Sequence, residues 1–84
     1  MNHTLPTLPL VQLPRGAKAQ IIEIKGNTHL SLRLLEMGFI PGTHLQLISR
    51  LLWGGSLAIS LRGSMVALRQ TDAQNILVSP LEKS

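Results

Sequence analysis

The spacing of its turn residues is what most limits the folds open to this chain of 84 residues. Turn signals recur at intervals of mostly eight to twelve residues: Pro14-Arg15-Gly16, Gly26-Asn27, Gly38, Pro41-Gly42, Gly54-Gly55, Gly63-Ser64, Thr71–Gln74 and Pro80. Segments this short hold short strands or a helix of a few turns and little else. A membrane-spanning helix needs roughly 20 consecutive apolar residues. The longest charge-free stretch, Met1–Pro14, is shorter and is broken by Pro6, Pro9 and Pro14. It has no basic residue ahead of it, so it reads as neither a signal peptide nor an anchor.

Hydrophobic period assigns each segment. Gln20–Lys25 alternates, which predicts a first strand with Ile22 and Ile24 inward and Glu23 and Lys25 in water. After Gly26 the period lengthens. Leu30, Leu34 and Met37 recur at i, i+4, i+7 with Leu35 beside them, so a helix over His29–Met37 is expected, capped by Asn27 or Thr28. Gly38 is placed to end it in the left-handed conformation, with Phe39 folding back on the last turn. Ile40-Pro41-Gly42-Thr43 is a turn in which Pro sets φ and Gly supplies a positive one. Leu45/Leu47/Ser49, Leu57/Ile59/Leu61, Val66/Leu68 and Ile76/Val78 then alternate as four more strands, with Gly63-Ser64 as a tight hairpin signal. The expected fold is mainly β: a small five-stranded closed barrel with one short α-helix after the first strand. Residues 1–9 read as a flexible arm, 10–79 as the domain and 80–84 as a tail.

Composition narrows the chemistry. Leu fills 17 positions, and Phe39 and Trp53 are the aromatics, so the core is aliphatic and the chain is one small globular domain. The chain has no Cys, which removes disulfides, thiolate metal sites and thiol nucleophiles and favours a cytoplasmic setting. Glu23, Glu36, Asp72 and Glu82 fall on a strand, a helix, a turn and the tail, so no carboxylate pair shares a face. No phosphate-cradling glycine motif is present. No enzyme activity and no cofactor are expected. His3, His29 and His44 lie on separate elements, so no metal site is expected beyond a weak surface one using His29 or His44 with Glu36.

Eight Lys/Arg against four Asp/Glu leave a net charge of +4, and small basic barrels include RNA binders. Arg50, Arg62 and Arg69 are expected on outward positions of three consecutive strands, as one basic stripe. Against RNA, no aromatic alternates outward as a base-stacking platform. Trp53, beside Gly54 and Gly55 at a hairpin tip, is either a lid on the barrel end or a partner anchor. Leu32 and Arg33, away from the apolar helix face, are the second docking candidate, with Arg62 and Arg69 completing the expected partner-binding set.

With these elements in order, the chain resembles the FeoA family. The resemblance rests on Leu13 and Gly16-Ala17; Ile22 and Ile24; Arg33-Leu34-Leu35-Glu36-Met37-Gly38; Pro41-Gly42; Arg62-Gly63; Ala67-Leu68-Arg69; and Asp72-Ala73 with Ile76 and Val78. It runs from Leu10 to Ser79. The hairpin 51–56 lacks the prolines that often flank it in relatives, and the lead-in is longer. The resemblance implies an SH3-like barrel, the stand-alone form of a domain also found at the C-terminus of iron-dependent repressors. It further implies a non-catalytic cytoplasmic accessory of bacterial ferrous iron uptake, acting on the cytosolic, GTP-binding portion of the membrane transporter FeoB. The alternative is a small basic RNA-binding barrel.

Overall fold

The structure is a computed structural model and describes residues 6–50 and 55–81. In chain order it contains β1 (Leu8–Pro9), a 3-10 turn (Leu10–Gln12), β2 (Lys18–Ile24), α1 (Thr28–Met37), β3 (His44–Arg50), β4 (Ser56–Leu61), β5 (Ser64–Arg69), α2 (Gln70–Ala73) and β6 (Ile76–Pro80). All pairs are antiparallel, in the order β1-β6-β2-β3-β4-β5. The fold is the expected mainly β, SH3-like one, with a strand more than the alternation predicts. The extra strand is Leu8–Pro9, assigned to the arm on sequence, which pairs with Val78 and Leu77. Two residues carry no readable period, and Pro9 is tolerated there because an edge strand needs no second ladder of N–H donors.

Helix α1 follows its local signals closely. The Asn27 side chain accepts the Leu30 N–H at 2.8 Å, which satisfies one of the orphan donors of the first turn. At the other end Gly38 adopts φ 107°. Its N–H donates to Leu35 O and the Phe39 N–H donates to Leu34 O, both at 3.0 Å, closing a Schellman motif. Phe39 is thereby turned into the core, fully buried. The buried side of α1 is narrower than the period suggests. Leu34 is buried and Leu30 packs on the core, but Leu35 and Met37 are exposed. The next turn has Gly42 at φ 94° and a Thr43 N–H to Ile40 O bond of 3.0 Å, a type II turn.

Two bulges correct the alternation. In β2 the pairing runs Ile21↔Val78 and then Glu23↔Leu77, leaving Ile22 as an extra residue. A two-against-one pairing reverses the side-chain phase. Ala19 and Ile21 are buried before the bulge, Ile22 is exposed rather than inward, and Ile24 packs on the core after it. In β3 the same happens between Leu47↔Ile59 and Ser49↔Ala58, with Ile48 extra. Ser49 loses its inward place, and Arg50 comes opposite the buried Leu57.

The core joins Leu10 and Leu13 from the N-terminal segment to Ile21, Leu34, Phe39, Leu47, Ile59, Ile76 and Val78, all fully buried. No buried polar side chain among the described residues lacks a partner. The expected closure is incomplete: β1 and β5 are the ends of the sheet and do not pair with each other. The 3-10 turn and α2 pack against one another there, and α2 also packs on β5.

Candidate functional site

The expected basic stripe does not form. After the Ile48 bulge Arg50 turns across the barrel end, and its Nη2 donates to Val11 O and, at 2.9 Å, to Leu13 O. These are carbonyls at the end of the 3-10 turn, where helical backbone leaves acceptors without partners. Arg62 is in the β4–β5 turn, not on a strand: Leu61 pairs with Ser64, and Arg62 and Gly63 form the two-residue loop at φ 53° and 83°. Two positive φ values make it a type I′ turn, centred one residue earlier than Gly63-Ser64. Arg69 is at the far end of β5, opposite Ser56. Arg62 and Arg69 are thus separated by the length of a six-residue strand, roughly 20 Å at 3.3–3.4 Å per residue.

This geometry predicts unequal effects of truncation. Arg50→Ala removes charge-assisted hydrogen bonds to two backbone carbonyls and should cost about 1.5–3 kcal/mol. Arg69→Ala, at an exposed side chain, should stay within about 0.5 kcal/mol. Urea denaturation of the two variants against the parent checks this; equal midpoints would show that the Arg50 bonds carry no stability.

The remaining candidates separate into two regions. On α1, Leu32 is 55% exposed. Its neighbour Arg33 reaches Asp72 of α2 at 3.0 Å, with the Arg side chain more than half exposed. Such an exposed pair contributes little to stability and orients the guanidinium more than it anchors the helix. Leu32, Leu35, Met37 and Ile40 are four of the six exposed large hydrophobic residues among those described. Ile22, a fifth, is beside them in the backbone, because Gly42 N–H donates to Ile21 O at 2.7 Å. Among the described residues, most of the exposed large apolar side chains therefore belong to α1 and its exit.

The second region is the barrel end by β3, β4 and α2. Gly55 accepts the Gln70 N–H at 2.7 Å, tying the start of β4 to α2 beside Arg69. Trp53 and Gly54 lie outside the described residues. Among the described residues no group of three His, Asp or Glu forms, around His29, Glu36, His44 or elsewhere. No helix of the described residues is long and apolar enough to cross a membrane.

One feature escaped the sequence reading. Lys18, His44, Gln46, Ser60, Arg62 and Leu81 line an open hollow of about 270 Å³ on the outer face of the sheet. These residues are spread over more than sixty positions, and no local motif links them. The pairing Lys18↔Gln46 and Gln46↔Ser60 is what sets them side by side.

Comparison with known proteins agrees with the fold at every level. The FeoA domain family matches residues 8–80. A curated protein of Campylobacter jejuni, "Putative Fe(2+) transport protein A", is 33% identical over 72 residues, covering 86% of this chain and 97% of that protein. The crystal structure of an iron uptake regulatory protein, FeoA, matches with a TM-score of 0.83 at 27% identity, over 92% of this chain and 100% of that one. A FeoA-like protein from Clostridium acetobutylicum gives 0.84 at 24% identity, over 99% and 94%. A manganese-dependent transcriptional repressor shares the fold at a TM-score of 0.85 and 21% identity, over 93% of this chain and 38% of the repressor.

Proposed function

The chain belongs to the FeoA family, and on that footing we propose that it is a non-catalytic, cytoplasmic accessory of ferrous iron transport that binds the cytosolic part of a FeoB-type membrane transporter. The observation that carries this reading is the unbroken family match over residues 8–80, joined to 33% identity along nearly the whole of a protein named for Fe(2+) transport. The surface supports it physically. Among the described residues, apolar side chains that could be removed from water by a partner concentrate on α1 and its exit, around Leu32 and Arg33. Interface energy is carried by a few such anchors, with charges around them tuning encounter. Trp53, with Gly54 and Gly55, is the second proposed contact, since Trp is among the strongest anchors.

The RNA alternative loses its main support, because Arg50 is committed to backbone carbonyls and Arg62 is remote from Arg69. The test compares Trp53→Ala, Leu32→Ala and Arg69→Glu for binding to the transporter's cytosolic domain and to generic RNA at two salt concentrations. Trp53→Ala should weaken transporter binding about thirtyfold, equivalent to about 2 kcal/mol, and Arg69→Glu should act chiefly on the association rate. Tight, salt-sensitive RNA binding without transporter binding would overturn the proposal.

A further inference from the structure

The hollow on the outer sheet face has a chemistry of its own. Lys18 from β2, His44 from β3 and Arg62 from the β4–β5 turn converge on it, with Gln46 and Ser60 between them. Gln46 is held in place by donating its Nε2 hydrogen to Gly16 O at 3.0 Å. Leu81, whose N–H donates to Lys18 O at 2.9 Å, supplies an apolar wall. Among the described residues no carboxylate lines the hollow, and neither Lys18 nor Arg62 forms an ion pair.

The backbone adds a second observation. Arg62 is the one non-glycine residue with positive φ among those described. Type I′ turns favour Asn, Asp or Gly at that position, because other side chains strain the left-handed conformation. A turn selected for geometry alone would not carry Arg there. A local rule broken at the rim of a basic hollow points to a use for the guanidinium.

Size and layout decide the ligand class. The hollow is shallow and open to solvent, whereas cofactor sites are clefts that bury most of their ligand. A polynucleotide presents a line of phosphates and is met by a line of cations. Here the cations surround one point, and Arg69 is a strand length away. We propose that this hollow receives a glutamate or aspartate side chain presented by a protein partner, with Arg62 and Lys18 flanking the carboxylate and Leu81 covering its methylene stem. The inference rests on the reading of this chain as a protein-binding accessory and names the charge its partner must bring.

The test is amide NMR on the full chain, titrated with a six-residue glutamate peptide, its glutamine counterpart, inorganic phosphate and a six-nucleotide uridine RNA. The glutamate peptide should shift the amides of Lys18, Gln46, Ser60 and Arg62, and the glutamine peptide should not. Arg62→Asn should weaken the peptide at least tenfold while the melting temperature holds or rises, since Asn suits the left-handed position. A purely structural Arg62 would instead give lower stability and unchanged affinity. Shifts elsewhere, equal binding of the glutamine peptide, or tighter binding of phosphate or RNA would overturn the proposal. Transporter-domain binding without glutamate-peptide binding would overturn the hollow and leave the proposed function standing. Peptide binding without transporter-domain binding would do the reverse.

Discussion

Phe39→Ala should lower stability by about 3–5 kcal/mol, the range for removing a fully buried aromatic ring. A domain of this length holds roughly 4–13 kcal/mol in total, at about 0.05–0.15 kcal/mol per residue. The substitution therefore takes away much or all of the margin. Phe39 fills the space between the end of α1 and the sheet, and it is the sole aromatic among the buried residues described. Each lost kcal/mol shifts the midpoint of a domain this small by about 4–8 °C, so a fall of at least about 12 °C is expected. Phe39→Leu keeps most of the burial and should cost far less. Met65→Ala, at a side chain 64% exposed, should stay within about 0.5 kcal/mol. Thermal and urea melts check all three. A midpoint for Phe39→Ala within a few degrees of the parent would show that the neighbours close over the gap.

Gly38→Val should be the next most damaging change, at about 2–3 kcal/mol, and Gly42→Val should cost about half of that. Both positions have positive φ, where an L side chain meets its own backbone, at a cost of roughly 1–2 kcal/mol. They differ in what surrounds them. A Cβ on Gly38 comes 3.2 Å from Leu61 Cδ2, and the two Val methyls would press further into a buried residue. A Cβ on Gly42 meets nothing within 4 Å. The difference between the two variants therefore measures the packing of α1 against β4, apart from backbone strain. Equal midpoints would show that Leu61 moves aside freely; no loss at either site would contradict the left-handed conformations themselves.

Much of α1 and its exit was legible because every signal there is local. Asn27 caps a helix that begins one residue later, Gly38 closes it, and Pro41-Gly42 turns the chain, each through bonds spanning no more than five residues. The existence of five strands was legible for a similar reason, since alternation is carried by neighbours in sequence. The strand at Leu8–Pro9 was not, because its two residues acquire meaning only from Leu77 and Val78. Of the candidate contact residues, Leu32 is exposed on the helix as its position implied, while Arg33 is drawn to Asp72, thirty-nine residues on in the chain.

Read alone, the residues determine the order and type of most elements, the aliphatic core, the capped helix and the family resemblance. All of these follow from backbone preference and hydrophobic period within a few positions. The tertiary structure decides which side of β2 and β3 each residue occupies beyond Ile21 and Leu47. A bulge depends on register with a strand far along the chain, and one inserted residue reverses every side chain after it. That reversal brings Ile24 rather than Glu23 back to the core and turns Arg50 from an outward strand position into a clamp on the 3-10 turn. Register across β2, β3 and β4 likewise gathers Lys18, His44 and Arg62 around one hollow, because side-chain charge carries no sequence signal of where its neighbours will be.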